Sequence, residues 1–270
     1  MTIFLFLQDY VSPGQSALAA FAVFAIVVTI AEHKWPYRDR FQYKKQDYIW
    51  DSIILFINRV VIAPVALAVS TGFVIPQLSL VFGDRLLTGF WPTEASLWLQ
   101  YPLLIAVVTF IPYWIHRALH EIDFLWRIHH LHHLPSKLTW AKATWGHPFD
   151  FLLIYPAMTV VPLALGAPTD IVQNTAFSLS LITLLNHANI PAQSTMINLI
   201  FAGFHEHECH HRLDISSGNK NYGTSFLGWD HLFGTFEKPS GEPVAVGVPE
   251  GLEDQSRFFP KIMKSLKLQK

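Results

Sequence analysis

Three stretches of this 270-residue chain space their histidines as a helix must to grip a metal ion. His116 and His120 stand four apart in HRALH. His129, His132 and His133 fall at i, i+3 and i+4 in HHLHH, and His207, His210 and His211 repeat that pattern in HECHH. Residues three and four apart share a helix face, and neutral imidazole is the commonest side-chain metal ligand, suited to zinc, iron, copper or nickel. His147 in GHPFD and His187 in NHAN extend the set to ten candidates. A single zinc takes about three or four protein ligands, so the count implies two metal ions.

The same geometry separates ligands from bystanders. At about 100° per residue, His129, His132 and His133 share an arc of about 100°, whereas His130 falls about 160° from His132. By the same arithmetic His205 lies opposite His207. His130 and His205 are therefore expected to bind no metal, and His33 and His231, outside the clusters, to face solvent. Cys209 lies off the ligand face. Ligating imidazoles usually donate their second N–H to an oxygen, which makes Asp150, Asn186 and Asn189 candidate partners. HECHH also contains H-E-x-x-H, the zinc-peptidase signature, with Glu208 as general base. That reading needs only one further ligand and leaves the other clusters unexplained.

The elements that carry these residues are apolar. The chain is 51% hydrophobic and only 14% charged, against about 25% charged in an average soluble domain, and its mean hydropathy is +0.30. A membrane protein is implied, and a net charge of −1 offers no basic surface for nucleic acid. The single cysteine excludes an intrachain disulfide framework. Residues 16–31, 51–82 and 96–115 are long and apolar enough to span a bilayer core, which needs roughly 20 residues, with Pro64 and Pro76 expected to kink or end the second. Residues 149–188 read as a hairpin turning at Gly166-Ala167-Pro168. Of 19 Lys and Arg residues, 17 fall on one side of these spans, Arg85 on the other and Arg59 within a span. The populated side is expected to be cytoplasmic, which places the N-terminus outside and the C-terminus inside. Arg59 is expected to snorkel to the inner headgroups, with a contact to a substrate headgroup as the alternative. The expected fold is thus all-α: a multi-span bundle whose cytoplasmic end carries a histidine-rich cap. As one integrated domain it divides into transmembrane helices at 1–115, a catalytic region at 116–236 and a cytoplasmic tail at 237–270.

In order and spacing, H-R-x-x-H (His116 to His120), H-x-x-H-H (His129 to His133), H-x-N (His187 to Asn189) and a second H-x-x-H-H (His207 to His211) resemble the fatty acid hydroxylase/sterol desaturase superfamily. HPFD (His147 to Asp150), NYG (Asn221 to Gly223) and WDHLFGT (Trp229 to Thr235) look like the same family. Many members have an aspartate seven residues before the first histidine; this chain has Thr109 there.

The resemblance implies an integral-membrane, non-haem di-iron enzyme in which two iron ions activate O2 to oxidise an unactivated C–H bond of a lipid. Hydroxylation is favoured over desaturation. Direct ligation is expected from His116, His120, His129, His132, His133, His187, His207, His210 and His211, with His147 a tenth ligand. Arg117 is expected to pair with a carboxylate or a lipid phosphate, and NYG and WD to pack the cap against the site. The sequence carries no dinucleotide fingerprint, haem-attachment motif or cysteine set for an iron–sulfur cluster. A separate electron donor is therefore implied, of cytochrome b5 or ferredoxin type with an NAD(P)H reductase. The membrane would be the inner membrane of a bacterium or the endoplasmic reticulum of a eukaryote. An intramembrane zinc metallopeptidase and a metal transporter stand as the alternatives.

Overall fold

The computed structural model describes residues 13–83, 89–191, 196–240, 242, 244–249 and 257–265; Arg85 lies outside them. Among the described residues the regular structure is helical, with two isolated bridges, Phe201 to Phe226 and Arg212 to Val246.

The first helix, α1 (Pro13–Lys34), leads through a 3-10 turn at Asp39–Phe41 into a long helical run. That run comprises α2 (Lys45–Ile57), α3 (Ala63–Val69) and α4 (Ile75–Phe82), joined by π-helical turns at Asn58–Ile62 and Ser70–Val74. Each π-turn lies immediately upstream of a proline, Pro64 or Pro76. A proline cannot supply the N–H of an i to i−4 bond, and widening the preceding turn re-registers the ladder without breaking it. Neither proline therefore ends the helix.

Helix α5 (Leu97–Glu121) is fixed at its start by buried Gln100, which accepts from the Trp91 indole at 2.9 Å and donates to the Thr93 and Ala95 carbonyls at 3.1 and 2.7 Å. Among the described residues, the run Lys45–Val81 and α5 are the helices long and apolar enough to cross a membrane. Helix α6 (Asp123–His133) follows α5 with a break at Ile122. The pair α7 (Pro148–Ala164) and α8 (Thr169–Leu185) is joined through Gly166, whose φ of +85° suits glycine. Helix α7 packs on α3, α5 and α8, which brings the C-terminal end of α5 and the N-terminal end of α7 to the same region.

Short helices α9 (Phe204–His210) and α10 (Gly228–Phe233) close over that region. The residues expected to form a tail fold back onto the body. Val246 packs with Phe41 and Leu138, and Val248 with Leu131 and Leu134. In α11 (Phe258–Ser265), Phe258 is 1% exposed and its ring lies 4.6 Å from that of Trp145. Buried ion pairs tie the start of α2 to the segment after α6: Lys137 to Asp47, and Lys142 to Asp51 at 2.5 Å. The Trp145 indole donates to the same Asp51 oxygen at 2.9 Å.

Candidate metal centre

Nine histidines converge as two adjoining sets. His116 and His120 from α5, His129 and His133 from α6 and His210 from α9 form one; His132, His187, His207 and His211 form the other. The ligand atoms within each set all lie within 4.8 Å of one another. The helix period explains the division. On α6 the i, i+4 pair His129 and His133 enters the first set and His132 the second. At α9 the i, i+4 pair His207 and His211 enters the second and His210 the first. Each H-x-x-H-H stretch therefore contributes to both sets, in opposite proportion.

Backbone carbonyls fix the tautomers. Since a carbonyl oxygen only accepts, Nδ1 must donate where it meets one. His116 donates to Tyr222 O at 2.6 Å, His132 to Trp145 O at 2.7 Å and His210 to Lys220 O at 2.9 Å. His187 donates at its Nδ1 towards Thr183 O at 2.9 Å and Asn186 Oδ1 at 2.7 Å. With the proton on Nδ1, each Nε2 carries a lone pair. His187 Nε2 then faces His132 Nε2 at 3.4 Å, two lone pairs with no proton between them. The Nε2 atoms of His120, His133 and His210 are buried without any partner. Buried acceptors opposed in this way are unfavourable unless a cation lies between them. Metal–nitrogen bonds of about 2.0–2.1 Å at right angles would set neighbouring nitrogens about 2.9 Å apart. His116 Nε2 lies 3.0 Å from His129 Nε2, and His207 Nε2 lies 3.1 Å from His187 Nε2 and 3.0 Å from His211 Nε2. The residues fit metal ions, and an all-imidazole donor set suits iron as well as zinc. Burial also favours the ligating form, pushing His129 down to about 3 and His132 to about 4, and His207, His210 and His211 well below the usual imidazole range.

The other expected site residues are placed as follows. Asp150 is 3% exposed, with Oδ2 at 3.5 Å from His129 Nδ1, an ion-pair distance rather than a formed hydrogen bond. Asn186 meets His187 directly. Asn189 meets no ligand imidazole: its side chain accepts from Arg38 N at 2.7 Å and donates to Arg38 O at 3.0 Å. His147 lies outside both sets. Its Nδ1 accepts from Phe149 N at 3.1 Å, capping α7, because Pro148 at the first helical position leaves that end's N–H groups in need of acceptors. His130 and His205 also lie outside both sets, His130 donating to Arg127 O at 2.7 Å and His205 packing edge-on to Tyr37. His33 and His231 are exposed. Arg117 pairs with Glu121 at 2.9 Å.

Glu208 cannot serve as a free general base. It is buried, and both of its oxygens are held by Arg38, at 3.0 and 2.7 Å. Cys209 joins neither set; its sulfur accepts from Arg212 at 3.3 Å, and burial raises its thiol to about 11.

NYG and WD prove to be a clamp on one carbonyl. Asp230 accepts from the backbone N–H of Tyr222 at 2.7 Å and of Gly223 at 2.8 Å, and from Thr235 Oγ1 at 2.7 Å. This aims Tyr222 O at His116. A Cβ on Gly223 would meet Phe226 O at 2.2 Å, so only glycine fits there. Thr109 accepts from the Trp229 indole at 3.0 Å, at the base of the same clamp. Asn219, whose Oδ1 lies 3.2 Å from His120 Nδ1, was not singled out by the sequence; it stands in a polar stretch with no spacing signal.

Two all-histidine groups that could hold metal ions thus stand at the ends of apolar helices. The fatty acid hydroxylase family model matches residues 101–235, and the chain belongs to that family. It is 35% identical over 151 residues to the ornithine lipid hydroxylase OlsE of Rhizobium tropici, covering 56% of this chain and 45% of the relative. It is 30% identical over 155 residues to alkylglycerol monooxygenase of Homo sapiens, covering 57% and 34%. It is 30% identical over 157 residues to the Delta(7)-sterol 5(6)-desaturase erg3B of Aspergillus fumigatus, covering 56% and 43%. The chain thus spans less than half the length of these relatives. No solved structure matches.

Proposed function

We propose that this chain is a membrane-bound di-iron oxygenase that hydroxylates a C–H bond of a lipid, using O2 and two externally supplied electrons. The observation that carries the reading is the pair of buried histidine sets, in one of which the Nε2 lone pairs of His132 and His187 face each other with no proton between them. His116, His120, His129, His133 and His210 would hold one iron, and His132, His187, His207 and His211 the other. When bound, the irons supply O2 activation. The chain's part is positional: the carbonyls of Tyr222, Trp145, Lys220 and Thr183 hold the imidazole protons on Nδ1, Asp150 stands ready to orient His129, and His147 caps α7 so that Asp150 reaches that position.

The placement of the sets at the ends of α5 and α8 suits a lipid that enters sideways with its tail among the helices. The positive-charge bias supports a cytoplasmic site, reached by a cytochrome b5- or ferredoxin-type donor. The relatives named as a hydroxylase and a monooxygenase favour oxygen insertion, and the one named as a desaturase gives the second outcome of the same oxidation. The peptidase reading loses its base to Arg38. The test compares the lipids of cells with and without the protein, looking for gain of one oxygen or loss of two hydrogens, beside elemental analysis of anaerobically purified protein. One zinc per chain with no lipid change would refute the proposal.

A further inference from the structure

Among the described residues, buried Lys142 is matched to Asp51 and half-buried Arg38 to Glu208. Arg59 differs. It stands with Asn58 in the π-helical turn Asn58–Ile62, inside the long apolar run. It makes no ion pair with the described residues. Its guanidinium lies 4.9 Å from the centre of the Phe21 ring, and its Nε is buried with no acceptor. Asn58 is 2% exposed; its Oδ1 accepts from the Tyr155 hydroxyl at 2.8 Å, which leaves its Nδ2 buried and also without an acceptor. Two adjacent side chains, Asn58 buried and Arg59 half-buried, thus offer N–H donors, one of them carrying a full positive charge, and the buried Nε and Nδ2 are unanswered.

The location ties this notch to the metal centre. On α7, Tyr155 lies five residues, about 7.5 Å, beyond Asp150, which faces His129. On the long run, Asn58 lies seven residues, about 10 Å, beyond Asp51. Asp51 holds Trp145, whose carbonyl holds His132. Along both helices the notch is therefore one and a half to two turns (roughly) to the membrane side of the histidines. Ionisable groups at such depth are costly and are found facing cavities or partners. Guanidinium and amide donors together suit a phosphate or carboxylate oxyanion.

We propose that Arg59 and Asn58, with Tyr155 behind them, form the headgroup subsite for a lipid bearing an oxyanion, and that the substrate of this enzyme is an anionic lipid. The inference rests on the lipid-oxidising reading given above. Tyr155 fixes the Asn58 amide so that its N–H group points away from the shared bond.

The experiment uses full-length, iron-loaded protein in detergent, with bound lipid read by native mass spectrometry. The probes are dioleoylphosphatidic acid against dioleoylglycerol, and palmitate against methyl palmitate. The wild type is expected to retain each acid about tenfold better than its neutral counterpart, as one charge-assisted contact allows. Arg59→Gln and Asn58→Leu are each expected to lose most of that preference, and Arg59→Lys to keep part of it, with iron content unchanged in all three. No preference in the wild type, or an equal preference in Arg59→Gln and Arg59→Lys, would overturn the subsite. If Arg59→Gln fails to fold, Asn58→Leu and Arg59→Lys decide alone. Displacement of phosphatidic acid by inorganic phosphate would overturn the lipid source. A protein that prefers the acids but oxidises no lipid refutes the oxygenase reading and leaves the subsite standing; an active oxygenase without the preference does the reverse.

Discussion

The imidazoles of His133 and His211 stack, with ring centres 4.2 Å apart and planes inclined by 26°, although they belong to different ligand sets. They form the wall between the two candidate ion sites. Each is 2% exposed or less. Replacing either with alanine removes a ligand and opens that wall. His133→Ala and His211→Ala are each expected to lower metal content below half of the wild-type value, measured by elemental analysis. Loss confined to a single ion in either variant would show that the two pockets are independent.

Local histidine density alone does not decide ligation. His130→Ala and His205→Ala should retain the full metal content, while His132→Ala and His210→Ala should lose both metal and activity. The check is metal content across the four purified variants. Full metal loss from His130→Ala would contradict the placement of its ring outside both sets.

Glu208 separates the oxygenase from a peptidase. Glu208→Gln keeps the shape and loses the charge opposite Arg38. Breaking a buried, hydrogen-bonded pair costs roughly 3–5 kcal/mol when a partner is removed outright, and about half of that is expected here because the amide oxygen still accepts. Thermal unfolding of the iron-loaded protein should show that loss, with lipid oxidation persisting in the folded fraction. Complete loss of activity at unchanged stability would restore a chemical role for the carboxylate.

Asp150 acts through His129. Asp150→Asn should weaken metal affinity or activity by about 10–100-fold, the usual effect of removing an oxygen that orients a ligand. Competition with a chelator reads affinity directly, and an unchanged chelator curve with unchanged turnover would release Asp150 from this role.

Gly223→Ala tests the carbonyl clamp. The added methyl meets the Phe226 carbonyl, so the Tyr222 carbonyl must shift away from His116. The expected result is a loss of metal that begins at the five-histidine set and carries the second ion with it, at a destabilisation of about 1–3 kcal/mol. Wild-type metal content and stability in this variant would show that the segment yields freely.

The gathering of the histidines was legible because the helix period alone sorts His129, His132 and His133 from His130; their division into two groups was not. The oxygens that orient them were less so. Asp150 and Asn186 could be named because they neighbour ligands in sequence. The carbonyls of Tyr222, Trp145 and Lys220 could not, since a main-chain acceptor has no residue type. Asn189 was misdirected by the same adjacency, for its side chain is satisfied by Arg38, 151 positions away. The Arg38–Glu208 pair spans 170 positions, and nothing local in either segment announces it. Pro64 and Pro76 read as breaks, whereas π-turns absorb them. The charge bias along the chain marked 237–270 only as a tail of the one domain, and it did not show that the apolar residues Val246, Val248 and Phe258 fasten that tail to the body.

The crossed contributions of α6 and α9 have a thermodynamic consequence. Whichever ion arrives first must fix the rotation of both helices, since each sends ligands to both pockets. The ordering entropy of the second pocket is then already spent, and the second ion binds to a preformed ring of nitrogens. Loading should be positively cooperative, with singly loaded protein scarce at every metal concentration, and by reciprocity the loss of either ion should weaken the binding of the other.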